Sequence, residues 1–164
     1  MTVGAGIEFT MEQQTESNWC WAATAASVSA YYLPTTGWGQ CGVASEVLGT
    51  QCCQYPVPAP CNVPSYLSSA LTVTDNFVAE IGVASISQII AELEAKRPVG
   101  ARVGWEGGGG HFCVIAAYSY VMRMEYFGIR DPYYGQSGIP VSAFRNNYQG
   151  TGTWTHTYFT KAAS

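Results

Sequence analysis

The chain changes its pattern at Pro98, and this change constrains the fold more than any other feature. Before Pro98 apolar residues recur at helical spacing, whereas after it short strand-like runs are linked by glycine-rich turns. Helices followed by strands, rather than alternating with them, are typical of an α+β domain. We therefore predict one α+β domain over 1–164, in which a helical half (about 1–97) packs on an antiparallel β half (about 98–164), with a cleft between them.

Capping patterns and alanine-rich segments indicate where the helices lie. The helix over 19–32 is rich in alanine and stops before Pro34, so we expect it to be buried on nearly all sides. Ser85 and Gln88 form a capping-box pattern ahead of another helix. The other predicted helices span 42–48, 64–71 with Asn62 as its cap, and 141–146, and the predicted strands span 99–105, 112–120, 125–130 and 153–160.

Composition excludes several classes of partner. Hydrophobic residues make up 48% of the 164 residues, which suffices for one core. Charged residues account for only 11% and the net charge is −4, so no nucleic-acid partner is expected. No segment reaches the roughly 20 apolar residues that a membrane helix needs. Residues 1–9 lack the basic and apolar regions of a signal peptide, and the alternative is that a leader has been removed. We expect a monomer that uses no cofactor and no metal.

The segment from Gln14 to Ala23 places a cysteine at the start of a predicted helix. With Asn18 as the N-cap, Cys20 lies in the first turn, where unpaired N–H groups and the helix dipole favour an anion. The thiolate is the nucleophilic form of cysteine. The Gln14 amide could turn toward the Cys20 N–H to complete a two-donor oxyanion pocket. The alternative is that Cys20 is a small buried hydrophobe between two core tryptophans.

A candidate base and a carboxylate that could orient it follow in the β half. His111 comes directly after the glycine run 107–110 and opens a predicted strand, and Asp131 ends the next strand. If the two strands are antiparallel neighbours, Asp131 can orient the His111 ring and stabilise its charged form. The other histidine, His156, lies in an alternating terminal strand, which favours a surface or cross-strand role.

The four consecutive glycines are interpreted as the rim of the cleft. A phosphate loop is excluded because no Gly-Lys-Ser/Thr and no helix follows them. Such a rim leaves a gap through which an extended substrate backbone can pass. The residues predicted to line the cleft are Trp19, Trp105, Gly109 and Gly110.

Four of the six cysteines fall in one proline-rich stretch. Disulfides would hold such a loop, and excluding the vicinal pair leaves two connectivities: Cys41–Cys52 with Cys53–Cys61, or Cys41–Cys53 with Cys52–Cys61. Reduced cysteines and a zinc site are the alternatives, and zinc is disfavoured because no Cys-x-x-Cys pair occurs. Disulfides favour a secreted or extracytoplasmic protein, and reduced cysteines a cytoplasmic one. Cys113 is predicted to be a packed free thiol near the site.

Gln14, Cys20-Trp21, His111 and Asp131 occur in an order that resembles papain-like cysteine peptidases. Ser-Asn-Trp-Cys-Trp-Ala-Ala, Gly-Gly-Gly-His-Phe and Asp-Pro-Tyr-Tyr-Gly are similar to a bacterial branch that includes relatives of type III effector proteases and, more distantly, the double-glycine leader peptidases. The resemblance implies a papain-like fold, with Cys20 as nucleophile, His111 as base and acid, Asp131 as the orienting acid and Gln14 as oxyanion donor. Because the chain is shorter than papain, papain's substrate preferences do not transfer.

The resemblance implies an endopeptidase that hydrolyses protein or peptide substrates through an acyl-enzyme thioester. A transglutaminase or glutamine deamidase would use the same Cys-His-Asp triad and is the alternative enzyme hypothesis. A non-catalytic peptide-binding module is disfavoured because all four residues of the pattern are present.

Overall fold

One antiparallel sheet forms the centre of the computed structural model, which describes residues 3–164. Five α-helices complete the fold, together with a short 3-10 helix over Ala59–Cys61 in the part of the chain described. The strands are β1 (Val3–Gly6), β2 (Phe77–Ile81), β3 (Val99–Trp105), β4 (Gly110–Val121), β5 (Met124–Asp131), β6 (Gly135–Pro140) and β7 (Gly152–Thr160). The helices are α1 (Cys20–Tyr32), α2 (Gln40–Leu48), α3 (Leu67–Val73), α4 (Ile86–Glu94) and α5 (Val141–Asn146).

The strands of the sheet follow the order β2, β7, β3, β4, β5, β6, and β1 pairs with β4 off this path. All these pairs are antiparallel. The predicted α+β class with an antiparallel sheet is confirmed. The first 97 residues are nevertheless not purely helical, because β1 and β2 lie within them and pair with β4 and β7. Both strands are short, with four and five residues, and carry little periodic signal.

The helix α1 is buried along almost its whole length, as its alanine content predicts. Nine consecutive residues, Trp21 to Ser29, are buried. Small side chains let the helix approach β4 closely while it also packs against α2 and α3. Burial on all sides fixes the position of the first residue of this helix, Cys20.

Both asparagines predicted as helix caps, Asn18 and Asn62, are not caps. The cap of α1 is Trp19, without a side-chain cap hydrogen bond, while the amide of Asn18 instead donates to the Asn62 carbonyl. The helix α3 begins at Leu67 rather than at residue 64, because Tyr66 is extended and Asn62 is engaged with the loop before α1. Contacts between distant segments therefore override the local capping preference of both asparagines.

The predicted capping box and the short helix over 141–146 are confirmed. The Gln88 N–H donates to Ser85 Oγ at 3.2 Å, and Gln88 Oε1 accepts from the Ser85 N–H at 2.9 Å. The helix α5 spans Val141–Asn146 and packs against β5, β6 and β7.

The proline-rich stretch is held by two disulfides, Cys41–Cys53 and Cys52–Cys61. This is the second of the two connectivities open to the sequence. Cys52 and Cys61 are completely buried. The loop between α2 and α3 is thereby fixed against the core, immediately before the segment that contacts the start of α1.

Candidate active site

Cys20 is the first residue of α1 and lies half-buried in a cleft that it shares with His111. As the first residue of a helix, it has a backbone N–H without an intrahelical acceptor, and the positive end of the helix dipole lies at its side chain. Both features favour negative charge at this position. The start of α1 therefore places the Cys20 thiol at the positive end of a helix and in the cleft.

His111 lies near the beginning of β4, opposite Val103 of β3, and is 6% exposed. Its Nε2 is 2.8 Å from Asp131 Oδ1 and 2.9 Å from Oδ2. The other ring nitrogen, Nδ1, is not engaged by Asp131, and Cys20 lines the same cleft as the His111 ring. The imidazole is thus bound to the carboxylate and lies in the same cleft as the thiol.

Asp131 reaches His111 because of the register between β4 and β5. Val114 pairs with Arg130, so Asp131 lies opposite Cys113, two residues along β4 from His111. The Asp131 carboxylate is buried, at 3% exposure. The sequence predicts this juxtaposition if the two strands are antiparallel neighbours, and β4 and β5 are.

The Asp131 carboxylate is held by three further donors. Oδ1 accepts hydrogen bonds from the N–H groups of Tyr133 and Tyr134 at 2.7 and 2.8 Å, and Oδ2 accepts from the Tyr148 hydroxyl at 2.6 Å. The two backbone donors come from the turn that follows β5, whereas Tyr148 follows α5. Sequence reasoning missed Tyr148, since nothing local to residue 148 indicates that it approaches Asp131.

Burial and hydrogen bonding act in opposite directions on the ionisation of this pair. Burial by itself lowers the pKa of His111, but the hydrogen bonds and charges of Asp131 and Cys20 outweigh it and raise the pKa to about 9. Burial by itself raises the pKa of Asp131, but His111, Tyr148 and the Tyr134 N–H outweigh it and lower the pKa. Both partners are therefore charged at neutral pH.

Aromatic rings enclose the imidazole. Trp105 stacks on His111 with ring centroids 5.7 Å apart and planes inclined by 28°, and Tyr134 meets the same ring edge-on at 5.8 Å. Trp105 also stacks against Tyr148. This packing keeps water away from the His111–Asp131 pair and holds the imidazole in one orientation.

Gln14 lies beside the loop before α1. Its Nε2 donates to the carbonyls of Glu16 and Ser17 at 3.0 and 2.9 Å, and its backbone N–H donates to the Pro132 carbonyl at 2.9 Å. Its Oε1 is buried without a hydrogen-bond partner among the described residues. The side chain is thus held against the loop that leads to Cys20, and both of its Nε2 contacts are made with that loop.

The loop after the Cys52–Cys61 disulfide is hydrogen-bonded to the start of α1. Trp19 Nε1 donates to the Cys61 carbonyl at 2.7 Å and Trp21 Nε1 donates to the Val63 carbonyl at 3.0 Å, on either side of Cys20. Further contacts join Asn62 to Ser17 and Asn18, at 2.9 to 3.1 Å. The position of the thiol therefore depends on a loop that the disulfide holds.

We expect the double variant Cys52→Ser/Cys61→Ser to lose about 2–3 kcal/mol of unfolding free energy, the usual effect of opening a loop of this size. Peptidase activity measured below the melting transition should also fall, because the carbonyls that accept hydrogen bonds from Trp19 and Trp21 are no longer held in place. The matched control, Cys41→Ser/Cys53→Ser, opens the disulfide at the α2 side and should lower stability with little loss of kcat/KM. Equal loss of kcat/KM in both variants would contradict the conclusion that the Cys52–Cys61 disulfide positions Cys20.

The cleft has a volume of about 290 Å³ and lies between the start of α1 and the β3–β4 hairpin. Trp105 and Gly110 line it, whereas Gly109 lies in the exposed hairpin turn. The prediction that Trp19 lines the cleft is wrong, because Trp19 is not among the lining residues and its side chain packs in the core. The lining residues that sequence reasoning missed are Ser17, Asn18, Trp21, Pro64, Ser65 and Phe112.

The other candidate ligands and bases lie apart from this cleft or inside the core. His156 Nδ1 contacts Thr155 Oγ1 at 2.8 Å on β7. Cys113 is a free, completely buried thiol, and burial raises its pKa. Within residues 3–164, no three His, Cys, Asp or Glu side chains are grouped so as to hold a metal ion, and no helix is long and apolar enough to cross a membrane.

Comparison with solved structures shows where this arrangement of helices and sheet occurs. A structure from work on the mite allergens Blo t 1 and Der p 1 has a TM-score of 0.59 and 12% identity, over 93% of this chain and 67% of that one. The digestive procathepsin L 3 of Tenebrio molitor larval midgut has a TM-score of 0.52 and 10% identity, over 96% of this chain and 69% of that one. At these identities the likeness concerns the fold, which is papain-like.

Comparison with curated protein sequences finds no match. The sequence model of the Peptidase_C39 like family matches residues 6–156, which is most of the chain and includes Cys20, His111 and Asp131. The recognition of a papain-like cysteine peptidase from the sequence is therefore confirmed. The chain belongs to the Peptidase_C39 like family and is a cysteine peptidase with a papain-like fold.

Proposed function

We propose that this peptidase is an endopeptidase that works through a triad of Cys20, His111 and Asp131. The observation that carries the proposal is the position of one imidazole: Asp131 holds Nε2 of His111 at 2.8 Å, and the same ring lines one cleft with Cys20. A thiol, an imidazole and a carboxylate connected in this order form a nucleophile, a base and a group that orients the base.

The proposed reaction has two steps. The Cys20 thiolate attacks the carbonyl carbon of the scissile peptide bond, and His111 then gives its proton to the leaving amine as the C–N bond breaks. The acyl group remains on Cys20 as a thioester. His111 next takes a proton from water, which attacks the thioester and releases the second product and the thiolate.

The oxyanion formed in each step needs hydrogen-bond donors near Cys20. We propose that the Cys20 backbone N–H is one donor and the Gln14 side chain the other. Because Gln14 Nε2 contacts the carbonyls of Glu16 and Ser17, one of these contacts has to be released when the oxyanion forms. The Cys20 N–H needs no such change, because its position at the helix start leaves it free of an intrahelical acceptor.

The shape of the cleft supports cleavage within a chain. The cleft that contains Cys20 and His111 shares residues Pro64, Ser65, Gly110 and Phe112 with a neighbouring cavity. A substrate therefore finds binding surface beyond the bond that is cut. The substrate is a protein or peptide, and the two disulfides support a place of action outside the reducing cytoplasm.

Thiol labelling under non-reducing conditions tests the nucleophile. The epoxide inhibitor E-64 and, separately, iodoacetamide should each add one group, and peptide mapping should place it on Cys20. Cys113 serves as the internal control, because it is completely buried and its pKa is raised by that burial. Labelling of Cys113 with Cys20 unmodified would contradict the assignment.

Product analysis tests the reaction. Incubation with an unfolded protein should create new chain termini inside the substrate, read by mass spectrometry. Release of ammonia from glutamine side chains without new termini would instead identify a deamidase that uses the same three residues.

A further inference from the structure

A second cavity of about 240 Å³ adjoins the cleft. It shares Pro64, Ser65, Gly110 and Phe112 with the cleft, so a peptide bound at Cys20 can extend into it. Its remaining lining residues are Tyr66, which is 74% exposed, and Arg102. Arg102 is the one charged side chain among the six residues that line the cavity.

The Arg102 guanidinium lies flat over a pair of glycines. Gly104 of β3 and Gly110 of β4 are partners in the sheet. A Cβ atom on Gly110 would fall 2.6 Å from Nη2 and 2.7 Å from Nε of Arg102, and one on Gly104 would fall 3.3 Å from Nη1. The absence of side chains at these two positions therefore makes room for the guanidinium at the edge of the cavity.

Arg102 is held in place but keeps most of its donors. Its Nη1 donates to Thr155 Oγ1 at 2.9 Å, and the Thr155 hydroxyl donates to the Arg102 carbonyl at 3.3 Å. A guanidinium carries five N–H donors, so one such bond leaves the others available. The ion pairs within residues 3–164 are Arg97–Glu92, His111–Asp131 and Lys161–Asp75, and Arg102 is in none of them.

One acidic residue, Glu80 of β2, acts on the same phenol as Arg102. Glu80 pairs with Tyr158 across the β2–β7 ladder and raises the pKa of that phenol together with burial, whereas Arg102 acts on Tyr158 in the opposite direction. Glu80 itself is exposed and does not line the cavity. Arg102 is therefore the one charged group in the lining of this cavity. The protein as a whole has a net charge of −4.

We propose that Arg102 binds a carboxylate of the substrate, so that the peptidase selects chains with Asp or Glu near the scissile bond. A guanidinium with free, fixed donors suits a carboxylate because it binds both oxygens at once. Pro64, Tyr66 and Phe112 also line the cavity. They would contact the methylene groups of the bound Asp or Glu side chain. This inference rests on the proposed function and adds the class of substrate to it.

Matched peptides test this selectivity. Each pair differs only by Glu or Gln at one position beside the scissile bond, and kcat/KM is measured for both. We expect the wild type to prefer Glu by roughly 10- to 100-fold at one position, the usual range for a hydrogen-bonded charge. Arg102→Gln should reduce that ratio to about one, and Arg102→Glu should favour Lys at the same position. Arg123→Gln, which alters an exposed arginine in the turn between β4 and β5, should keep the wild-type ratio.

Titration of the same peptides into the Cys20→Ala protein measures binding separately from catalysis. A Glu preference in binding without cleavage by the wild type would contradict the proposed function but keep the Arg102 site. Cleavage without a Glu preference, or an equal preference in Arg102→Gln, would overturn the Arg102 site alone. Peptides with free and amidated C-termini form a further comparison. If Arg102 discriminates only between these, the carboxylate it binds is that of the chain end, and the side-chain selectivity is wrong.

Discussion

Cys20→Ala protein will show no measurable peptidase activity, a loss of at least about 10⁴-fold in kcat/KM. The substitution removes the sulfur that forms the acyl-enzyme, and neither His111 nor Asp131 can replace it. Cys20 is only half-buried at the start of α1, so removing its sulfur should leave the melting temperature nearly unchanged. Initial rates on a cleaved peptide, with a melting curve for each preparation, make the measurement.

Cys113→Ala is the matched control for this result. Cys113 is also a free cysteine and lies close to Asp131 in the β4–β5 register, but it is completely buried in the core. Its loss should lower stability by about 1 kcal/mol and leave most of the activity. Activity of the Cys20→Ala protein within about tenfold of the wild type would remove Cys20 from the reaction.

The residues of the site could be predicted because each stands at a local boundary that sequence patterns show. Cys20 precedes an alanine-rich helix, His111 follows a glycine turn, and Asp131 ends a strand before a proline. Local signals of this kind also predicted the Ser85 capping box and the helix over 141–146.

The surroundings of the site depend on contacts between distant segments, and these were not predictable. Tyr148 reaches Asp131 only because α5 packs on the sheet, and Trp19 is buried because Cys61 accepts its indole N–H. The same is true of the space for the Arg102 guanidinium, which requires the register of β3 with β4. The pairing of the four loop cysteines stayed open for the same reason.

Asp131→Asn should lower kcat/KM by about 10³- to 10⁴-fold, although it changes one atom. If the amide oxygen keeps the N–H groups of Tyr133 and Tyr134, the amide nitrogen takes the place of Oδ2, beside Nε2 of His111. Nε2 of His111 then lies beside a donor at the Oδ2 position as well as the oxygen at the Oδ1 position, and the carboxylate charge that stabilises the imidazolium is gone. The neutral ring is therefore less strongly held in the tautomer with its proton on Nε2. In the other tautomer the proton is on Nδ1, toward Cys20, where a base is needed.

The same variant should change the stability profile in a defined pH range. The raised pKa of His111 stabilises the fold fully below its ordinary value of 6.5, and this contribution is lost as the pH rises through about 9. The lowered pKa of Asp131 stabilises the fold above its ordinary value of 3.8, and this contribution is lost as the pH falls through the lowered pKa. The difference in unfolding free energy between wild type and Asp131→Asn should therefore be largest between about pH 4 and pH 6.5 and narrow toward pH 9.

The pH dependence of kcat/KM separates loss of charge from loss of one hydrogen bond. In the wild type the alkaline limb should lie near pH 9, where His111 loses its proton, and in Asp131→Asn it should move to lower pH because the carboxylate charge is gone. Tyr148→Phe is the control, since it removes the hydroxyl bonded to Oδ2 but keeps the charge, and its activity should fall by about tenfold or less. An alkaline limb at the same pH in Asp131→Asn and wild type would mean that another group governs the ionisation of His111.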